Sequence, residues 1–272
     1  MAEGTATDVT PVAAGAEATA TAGFNAPKQG QPVLSVRDLV TPVMVILIAI
    51  ALYVNVQRSK PLDSIETNTL NREALTRATL EHIRLSVTIA CLVVLIAVPL
   101  GILVTRHATR RLAPLVLGIA NLGQAAPSLG LLALVGFYFI GFWAVALILT
   151  AYAALSVLRN TIVGLQQVDK GMLDAARGMG MSPSSILFRV ELPTAVPIIG
   201  AGVRTALVLA VGTVPLGYAL DAGGLGLPLF GAIKTNRQLV ILTTAIMIAL
   251  LALLLDWLGG VLQRAATPRG IR

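Results

Sequence analysis

Residues 239–259 read LVILTTAIMIALLALLLDWLG, and the only charged side chain in this run is Asp256. A helix needs about 20 predominantly apolar residues to cross the hydrocarbon core of a bilayer. No water reaches the backbone at that depth, so a spanning segment must satisfy its own hydrogen bonds as a helix or within a closed barrel. The run lacks the alternation of a barrel strand. It therefore predicts a transmembrane α-helix.

Five further apolar runs have a comparable or greater length. One of them, Leu112–Ile140, contains Ala126-Pro127-Ser128 and is too long for one straight helix, so it is interpreted as a single kinked span. The fold class predicted is an all-α polytopic membrane protein with about six transmembrane helices. The other five runs cover about Leu39–Val56, Ile83–Val104, Leu112–Ile140, Phe142–Leu158 and Ile198–Leu220.

The composition agrees with this class and argues against others. Of 272 residues, 56% are hydrophobic and 12% are charged, and a soluble domain carries roughly 25% charged residues. Cys91 is the single cysteine, which excludes a disulfide framework or a multi-cysteine zinc site within the chain. The net charge of +7 could suggest nucleic acid. However, the basic residues lie in short loops between spans, as membrane topology requires, and no nucleic-acid partner is expected.

The same basic residues predict the orientation of the spans. The loop 105–112 and the segment after the last span are rich in arginine and should be cytoplasmic, since Lys and Arg concentrate on that side. Counting spans then places 159–197 and the C-terminus inside and 221–238 outside. The first span has weaker support, because Arg58 and Lys60 would follow it on the outer side. The arginines that carry this argument are Arg106, Arg110, Arg111, Arg264, Arg269 and Arg272.

The polar insertion at 159–197 is predicted to fold as two short helices. Asp169 can cap a helix from Lys170 to about Gly178, where Gly178 and Gly180 favour a left-handed stop. Ser182 and Pro183 then suit the start of a second helix. That helix should end near Leu192, because a residue before proline avoids the α region. The insertion would be a compact knob between apolar spans.

The spacing within this knob resembles a known motif. Asp174-Ala175-Ala176, then Gly180, then Val190-x-Leu192-Pro193, is similar to the EAA motif of permease subunits of binding-protein-dependent ABC importers. Asp174 and Val190 replace the usual Glu and Ile. The resemblance implies a docking site for a cytoplasmic ABC ATPase subunit, and the coupling residues that it implies are Asp174, Ala175, Ala176, Gly178, Gly180, Val190, Leu192 and Pro193.

Further segments resemble the glycine betaine/carnitine/choline branch of these permeases. They include Leu158-Arg-Asn-Thr161, Ala201-Gly-Val-Arg-Thr-Ala206 and Ala222-Gly-Gly-Leu-Gly226, and the likeness covers about 73–262. It implies a type I core of five helices with one extra N-terminal helix, in the plasma membrane of a prokaryote. It also implies a second permease copy or a sister permease, and a separate extracytoplasmic solute-binding protein.

The predicted organisation follows from these observations. The segments are a disordered tail at 1–35, the extra helix at 36–57, an extracytoplasmic linker or amphipathic segment at 58–82, the permease core at 83–262 with its coupling loop at 159–197, and a cytoplasmic tail at 263–272.

Catalytic chemistry is not expected in this chain. The phosphate loop GxxxxGK[ST] is absent from the sequence, so ATP and Mg²⁺ should bind the partner ATPase and no cofactor should bind here. His82 and His107 lack any neighbouring metal-ligand pattern, so no metal site is expected. Arg204 and Asp256 are interpreted as interfacial anchors near the inner ends of their spans, and no ionisable residue is expected at mid-depth.

A translocation path should be lined by the polar and helix-breaking residues of the spans. Hydrogen bonding between helices is an equally ordinary role for the polar ones, and the prolines can simply kink their helices. The aromatic cluster Phe137–Trp143 is interpreted as an interfacial belt. The candidate path residues are Asn121, Gln124, Pro127, Thr213, Pro215 and Tyr218.

Three other functions remain open at this point. A permease of another ABC importer branch, for an amino acid or another small solute, has the same architecture. An ion-coupled secondary carrier would more often place a carboxylate at mid-depth. A membrane-embedded enzyme would need an intramembrane cluster of His, Asp or Glu, which the sequence does not show.

Overall fold

The fold is a bundle of long helices, and the computed structural model describes residues 39–59 and 61–268. The predicted disordered tail at 1–35 and the last four residues lie outside this range. The helices are α1 Val40–Arg58, α2 Ser64–Thr69, α3 Arg72–Thr105, α4 Ala113–Ala125, α5 Ser128–Gly136, α6 Phe142–Gln166, α7 Lys170–Gly178, α8 Pro183–Ile186, α9 Leu192–Thr213, α10 Gly226–Lys234 and α11 Gln238–Ala266. A π-helical turn, Leu187–Glu191, joins α8 to α9, and 3₁₀ turns cover Arg110–Leu112 and Val214–Leu220.

Five of these helical segments are long and apolar enough to cross a bilayer, and a bent pair adds a sixth. The prediction of about six spans in an all-α membrane protein is confirmed. The bent pair is sharper than a kinked helix, because 110–125 and 128–136 meet at 90°. Ala126 is extended in front of Pro127, as the steric clash with a following proline ring favours.

The core of the bundle is formed where α6 packs against both α3 and α9. Leu85, Ile89, Val145 and Leu149 are completely buried there. Small residues bring the helices close together: a Cβ at Gly202 of α9 would lie 2.8 Å from the Asn160 Cβ of α6. Such close approach of backbones is how transmembrane helices gain packing energy in lipid.

Two further helices, α11 and α1, lie outside this core. α11 packs on α9, and α1 packs on α11 without burying any of its own residues. α1 thus lies at the edge of the bundle, in agreement with its expected place as an addition to a five-helix core. From here on, the knob means residues 170–191 of the polar insertion. We call the end of the bundle that carries the knob the proximal end, and the opposite end the distal end.

Helix α3 begins earlier than the sequence indicated. Residues 72–82 of the segment predicted as a linker belong to α3, whose start is capped by Asn71 accepting the Ala74 N–H at 2.7 Å. Its 34 residues span about 50 Å at 1.5 Å per residue. The first turns of α3 therefore extend beyond the apolar part of the helix at the distal end.

Candidate functional site

The first half of the proximal segment folds as expected. The Asp169 carboxylate accepts the Met172 N–H at 2.9 Å and starts α7 at Lys170. Gly180 ends the helix with φ of +76°, and the Met181 N–H then donates to the Ala176 carbonyl at 3.2 Å. This is the left-handed stop that glycine favours. Both ends of α7 are thus determined by local hydrogen bonds.

The second half corrects one prediction. Ser182 caps α8 and Pro183 occupies its first turn, but the helix does not end near Leu192. The π-helical turn at 187–191 leads directly into α9, and the Leu192 N–H donates to the Leu187 carbonyl five residues back. We attribute the continuity to this wider turn, which separates the Pro193 ring from the preceding turn of backbone. The second half of the knob, α8 and the π-helical turn, is thus a continuous extension of α9.

The predicted coupling residues divide between the surface and the interior of this knob. Asp174, Ala175, Gly178 and Gly180 are exposed, whereas Ala176 is 2% exposed. Val190, Leu192 and Pro193 are half-buried at the junction with α9. Asp174 also pairs with Arg177 at 2.8 Å on the exposed surface.

Apolar side chains accompany these exposed residues. Met172, Met179 and Phe188 are 48, 74 and 66% exposed. Large exposed apolar groups on a protruding polar segment are typical of a surface that another protein covers. The knob thus combines a charged residue, small residues and flexible apolar residues on its surface.

An ion pair joins the knob to α3. Arg106, which follows α3, donates from Nη2 to Glu191 Oε2 at 2.5 Å and from Nη1 to Oε1 at 3.3 Å. The Glu191 side chain is 12% exposed and that of Arg106 is 36% exposed. A two-point contact between a planar guanidinium and a carboxylate constrains orientation as well as distance. The knob is therefore held to two helices of the bundle.

The candidate path residues lie in two regions of the bundle. Asn121 and Gln124 are on α4, where Asn121 accepts a hydrogen bond from Arg159 of α6 at 2.7 Å, and Pro127 lies at the 90° bend. Thr213 and Pro215 lie at the end of α9, where the chain changes from α to 3₁₀ geometry. The two regions approach each other where α5 packs on the 3₁₀ turn.

Tyr218, the remaining candidate path residue, lies within that 3₁₀ turn and is packed by the chain itself. Its ring stacks on Phe230 with centroids 4.2 Å apart, and the Lys234 amine lies 5.3 Å from its centroid. Tyr218 therefore already has an aromatic partner and a cation close to its ring.

Arg204 and Asp256 do not lie at the ends of their helices. Asp256 is ten residues before the end of α11, which is about 15 Å along the axis. Arg204 lies within the middle of α9, and the two side chains form a bidentate pair with distances of 3.0 and 2.6 Å. The two residues that were interpreted as separate anchors therefore form one ion pair. Separation along the sequence concealed the pair, because α9 and α11 become neighbours only on folding.

The distal end carries an open cleft of about 930 Å³. Its walls come from α2, the start of α3, residues 221–224 and α10. Glu81 of α3 accepts the Gly224 N–H at 3.0 Å and pairs with Arg77 at 3.1 Å. The exposed aromatic residues at 137–143 also lie at this end, and Arg84 is 4.9 Å from the Phe142 ring centroid.

Comparison with known protein families agrees with the architecture. The model of the family described as binding-protein-dependent transport system inner membrane component matches residues 97–268. The chain belongs to this family. It is therefore a membrane permease component, as the EAA-like motif indicated.

Individual relatives show which branch of the family this chain resembles. The osmoprotectant import permease OsmW of Salmonella typhimurium is 37% identical over 78% of this chain and 100% of its own length. The choline transport system permease OpuBB of Bacillus subtilis is 36% identical over 71% of this chain and 89% of its own length. The carnitine transport permease OpuCB of Listeria monocytogenes is 35% identical over 71 and 88%. The resemblance to the osmoprotectant branch is confirmed.

Solved structures support the type I permease fold. An inward-facing form of the MetNI methionine ABC transporter contains a chain that matches with a TM-score of 0.63 and 27% identity, covering 71% of this chain and 96% of that chain. A second form matches with a TM-score of 0.63 and 25% identity, covering 76 and 100%.

Proposed function

We propose that this protein is the permease subunit of an ATP-driven importer for a compatible solute of the glycine betaine, choline or carnitine type. The relatives that share most of its length carry names for transport of such solutes. ATP hydrolysis would be performed by a separate ABC ATPase subunit, which would also hold ATP and Mg²⁺. This chain would supply the membrane path and the surface that receives the mechanical signal.

The observation that carries the proposal is the construction of the knob at 170–191. Its first helix, α7, is capped at both ends, and its second half is continuous with α9 and is ion-paired to Arg106 at the end of α3. A rigid element of this kind can transmit a displacement to the bundle, whereas a flexible loop would absorb it. Asp174, Ala175 and Met179 would contact the ATPase, because they are the exposed part of the motif.

The orientation follows from the basic loops. The proximal end, with the knob and the C-terminus, would face the cytoplasm, in the plasma membrane of a prokaryote. The distal cleft would then face the extracytoplasmic side and the solute-binding protein. Two permease copies, or this chain and a sister permease, would enclose the path.

Within that path, the end of α9 and the bend between α4 and α5 would contact the solute or its water. Helices that are interrupted at corresponding depth are a common way to build a path through a membrane protein. Asn121, Gln124, Thr213 and Tyr218 would supply the polar groups, and Pro127 and Pro215 the interruptions.

A cysteine crosslink tests the docking surface. In a Cys91→Ser background, Ala175→Cys should form a crosslink with a co-expressed candidate ATPase subunit, because Ala175 is exposed on the knob. Leu227→Cys is the matched control, since Leu227 is 60% exposed at the distal end. Crosslinking at both positions, or at the control alone, would contradict the assignment.

Uptake assays test the solute. Proteoliposomes containing the permease, the ATPase and the binding protein should accumulate labelled glycine betaine, choline or carnitine when ATP is supplied inside. Labelled methionine serves as the comparison, because a structural neighbour is a methionine transporter. ATP-dependent methionine uptake without quaternary amine uptake would place the protein in another importer branch. Uptake driven by an ion gradient without ATP would instead indicate a secondary carrier.

A further inference from the structure

Helix α9 contains a backbone carbonyl that its own helix cannot satisfy in the usual way. In an α-helix the C=O of Val211 would accept the N–H of residue 215, but residue 215 is proline and has no N–H. Val211 is completely buried, so water cannot replace the missing donor. A buried carbonyl without a partner is strongly unfavourable. Another element of the fold has to supply the hydrogen bond.

His82 of α3 supplies it. The Nε2 atom of His82 lies 3.1 Å from the Val211 carbonyl oxygen, across 129 positions of sequence. The His82 side chain is completely buried. Since a carbonyl oxygen only accepts hydrogen bonds, Nε2 must be the donor and must carry the ring proton. The other ring nitrogen, Nδ1, has no partner among the residues that the structure describes.

The surrounding contacts show that this bond is part of a larger junction. A Cβ at Gly224 would lie 3.3 Å from the His82 Cα, and a Cβ at Gly226 would overlap the Pro215 carbonyl oxygen. Residues 221–226 therefore pack closely on both His82 and Pro215. Glu81, the neighbour of His82, accepts the Gly224 N–H. Two consecutive residues of α3 thus hold the end of α9 and the loop beyond it.

The location of the junction indicates its role. Directly after Val211 the chain changes from α to 3₁₀ geometry at 214–220. Pro215 and Tyr218 lie within that turn and Thr213 directly precedes it, so three of the candidate path residues are at this change of geometry. Any shift of the end of α9 relative to α3 would move these side chains together.

We propose that His82 is a positioning residue of the translocation path. It replaces the hydrogen bond that Pro215 removes from the Val211 carbonyl, and so it sets the position of the break in α9 relative to α3. The proposal rests on the proposed transport function, because it assigns the break to the path. His82 would not contact the solute itself.

A double-mutant cycle tests the chemical part of this proposal. H82L removes the donor, and P215A restores an N–H to residue 215. H82L alone should lower the apparent Tm of the purified protein by roughly 3–10 °C, because the Val211 carbonyl is left unpaired. In the P215A background the same substitution should cost less than about half of that shift. H82Q is the matched control, because its amide can still donate.

Transport kinetics test the positioning part. H82L should raise the apparent KM for labelled glycine betaine or choline at least about threefold, and H82Q should remain close to wild type. A purely structural role would reduce the amount of folded protein and leave the KM of the remaining fraction unchanged. If H82L does not accumulate in the membrane, recovery of accumulation in the double variant H82L/P215A becomes the measurement.

The outcomes separate the two proposals. Equal losses of Tm for H82L in both backgrounds, or equal failure to accumulate, would overturn the role of His82 as a replacement donor. A normal KM for H82L would overturn its role in positioning the path. If the wild-type protein transports none of the solutes, the proposed function fails, and the Tm cycle still decides the hydrogen-bond assignment.

Discussion

Replacing Glu191 by Gln would weaken the connection between the knob and α3. The wild-type carboxylate accepts two hydrogen bonds from Arg106, at 2.5 and 3.3 Å. Gln has nearly the same shape but carries no charge, and only one of its two terminal atoms accepts a hydrogen bond. E191Q would therefore remove the electrostatic attraction and one of the two bonds without creating a cavity.

The size of this effect follows from the burial of the pair. Breaking a fully buried ion pair costs about 3–5 kcal/mol, and an exposed pair contributes about 0–1 kcal/mol. The Glu191 side chain is 12% exposed, but solvent reaches the 36% exposed Arg106 and screens the pair. We therefore expect E191Q to lower the free energy that holds the knob against α3 by an intermediate amount, about 1–3 kcal/mol. This corresponds to an increase of about 5- to 150-fold in the population in which the knob is detached from α3.

The assay compares ATP hydrolysis with solute uptake in proteoliposomes. With a detached knob, the ATPase subunits would continue to hydrolyse ATP while uptake per ATP falls. D174N is the matched control, because it also neutralises a carboxylate of the knob in an ion pair. Its pair with Arg177 is 65–71% exposed, so D174N should leave the apparent Tm nearly unchanged and weaken association with the ATPase.

Two results would refute this reasoning. The first is an E191Q protein with wild-type Tm and wild-type uptake per ATP. The second is a double variant R106Q/E191Q whose destabilisation equals the sum of the two single variants, because paired residues should show a coupling energy of about 0.5–3 kcal/mol.

Three further predictions concern single positions. Gly180→Val should abolish uptake with the protein still inserted, because φ of +76° strains a β-branched residue. Gly178→Ala is the control, because the space around its Cβ is open. If Gly180→Val takes up as much solute as Gly178→Ala, the docking role is contradicted. Asp256→Asn should lower the apparent Tm by roughly 2–8 °C, since Arg204 loses a bidentate partner, and a second change of Arg204 to Gln should recover part of the loss. Gly202→Ala should reduce the yield of folded protein measured by size-exclusion chromatography, because its Cβ would lie 2.9 Å from a backbone oxygen of α6, and an unchanged yield and Tm would argue against that close contact.

The parts of the fold that depend on local sequence were predictable. The spans follow from apolar length, and α7 follows from Asp169 at its start and Gly180 at its end. Both signals act within a single segment of the chain, so neighbouring helices do not override them. The type I permease fold came from the resemblance of the knob and nearby segments to a family.

The parts that depend on other helices were not predictable. α3 extends back to Arg72, because the 221–224 loop packs on its first turns, where Glu81 accepts the Gly224 N–H. The helix through Pro193 continues by way of a π turn, although a proline usually marks an end. In the first case, packing against another part of the chain extended the helix. In the second, a different hydrogen-bond register let the helix continue.

The sequence by itself determined that this is a helical membrane protein and a permease of its family, because hydrophobic length and the knob motif are linear signals. Only the tertiary structure decided which polar groups meet. Arg204 pairs with Asp256, Arg106 with Glu191, and His82 with the carbonyl that Pro215 leaves free. These contacts join residues 52, 85 and 129 positions apart. Such pairs exist only after α3, α9 and α11 have packed, since each polar group then has to find its partner among the neighbours that packing provides.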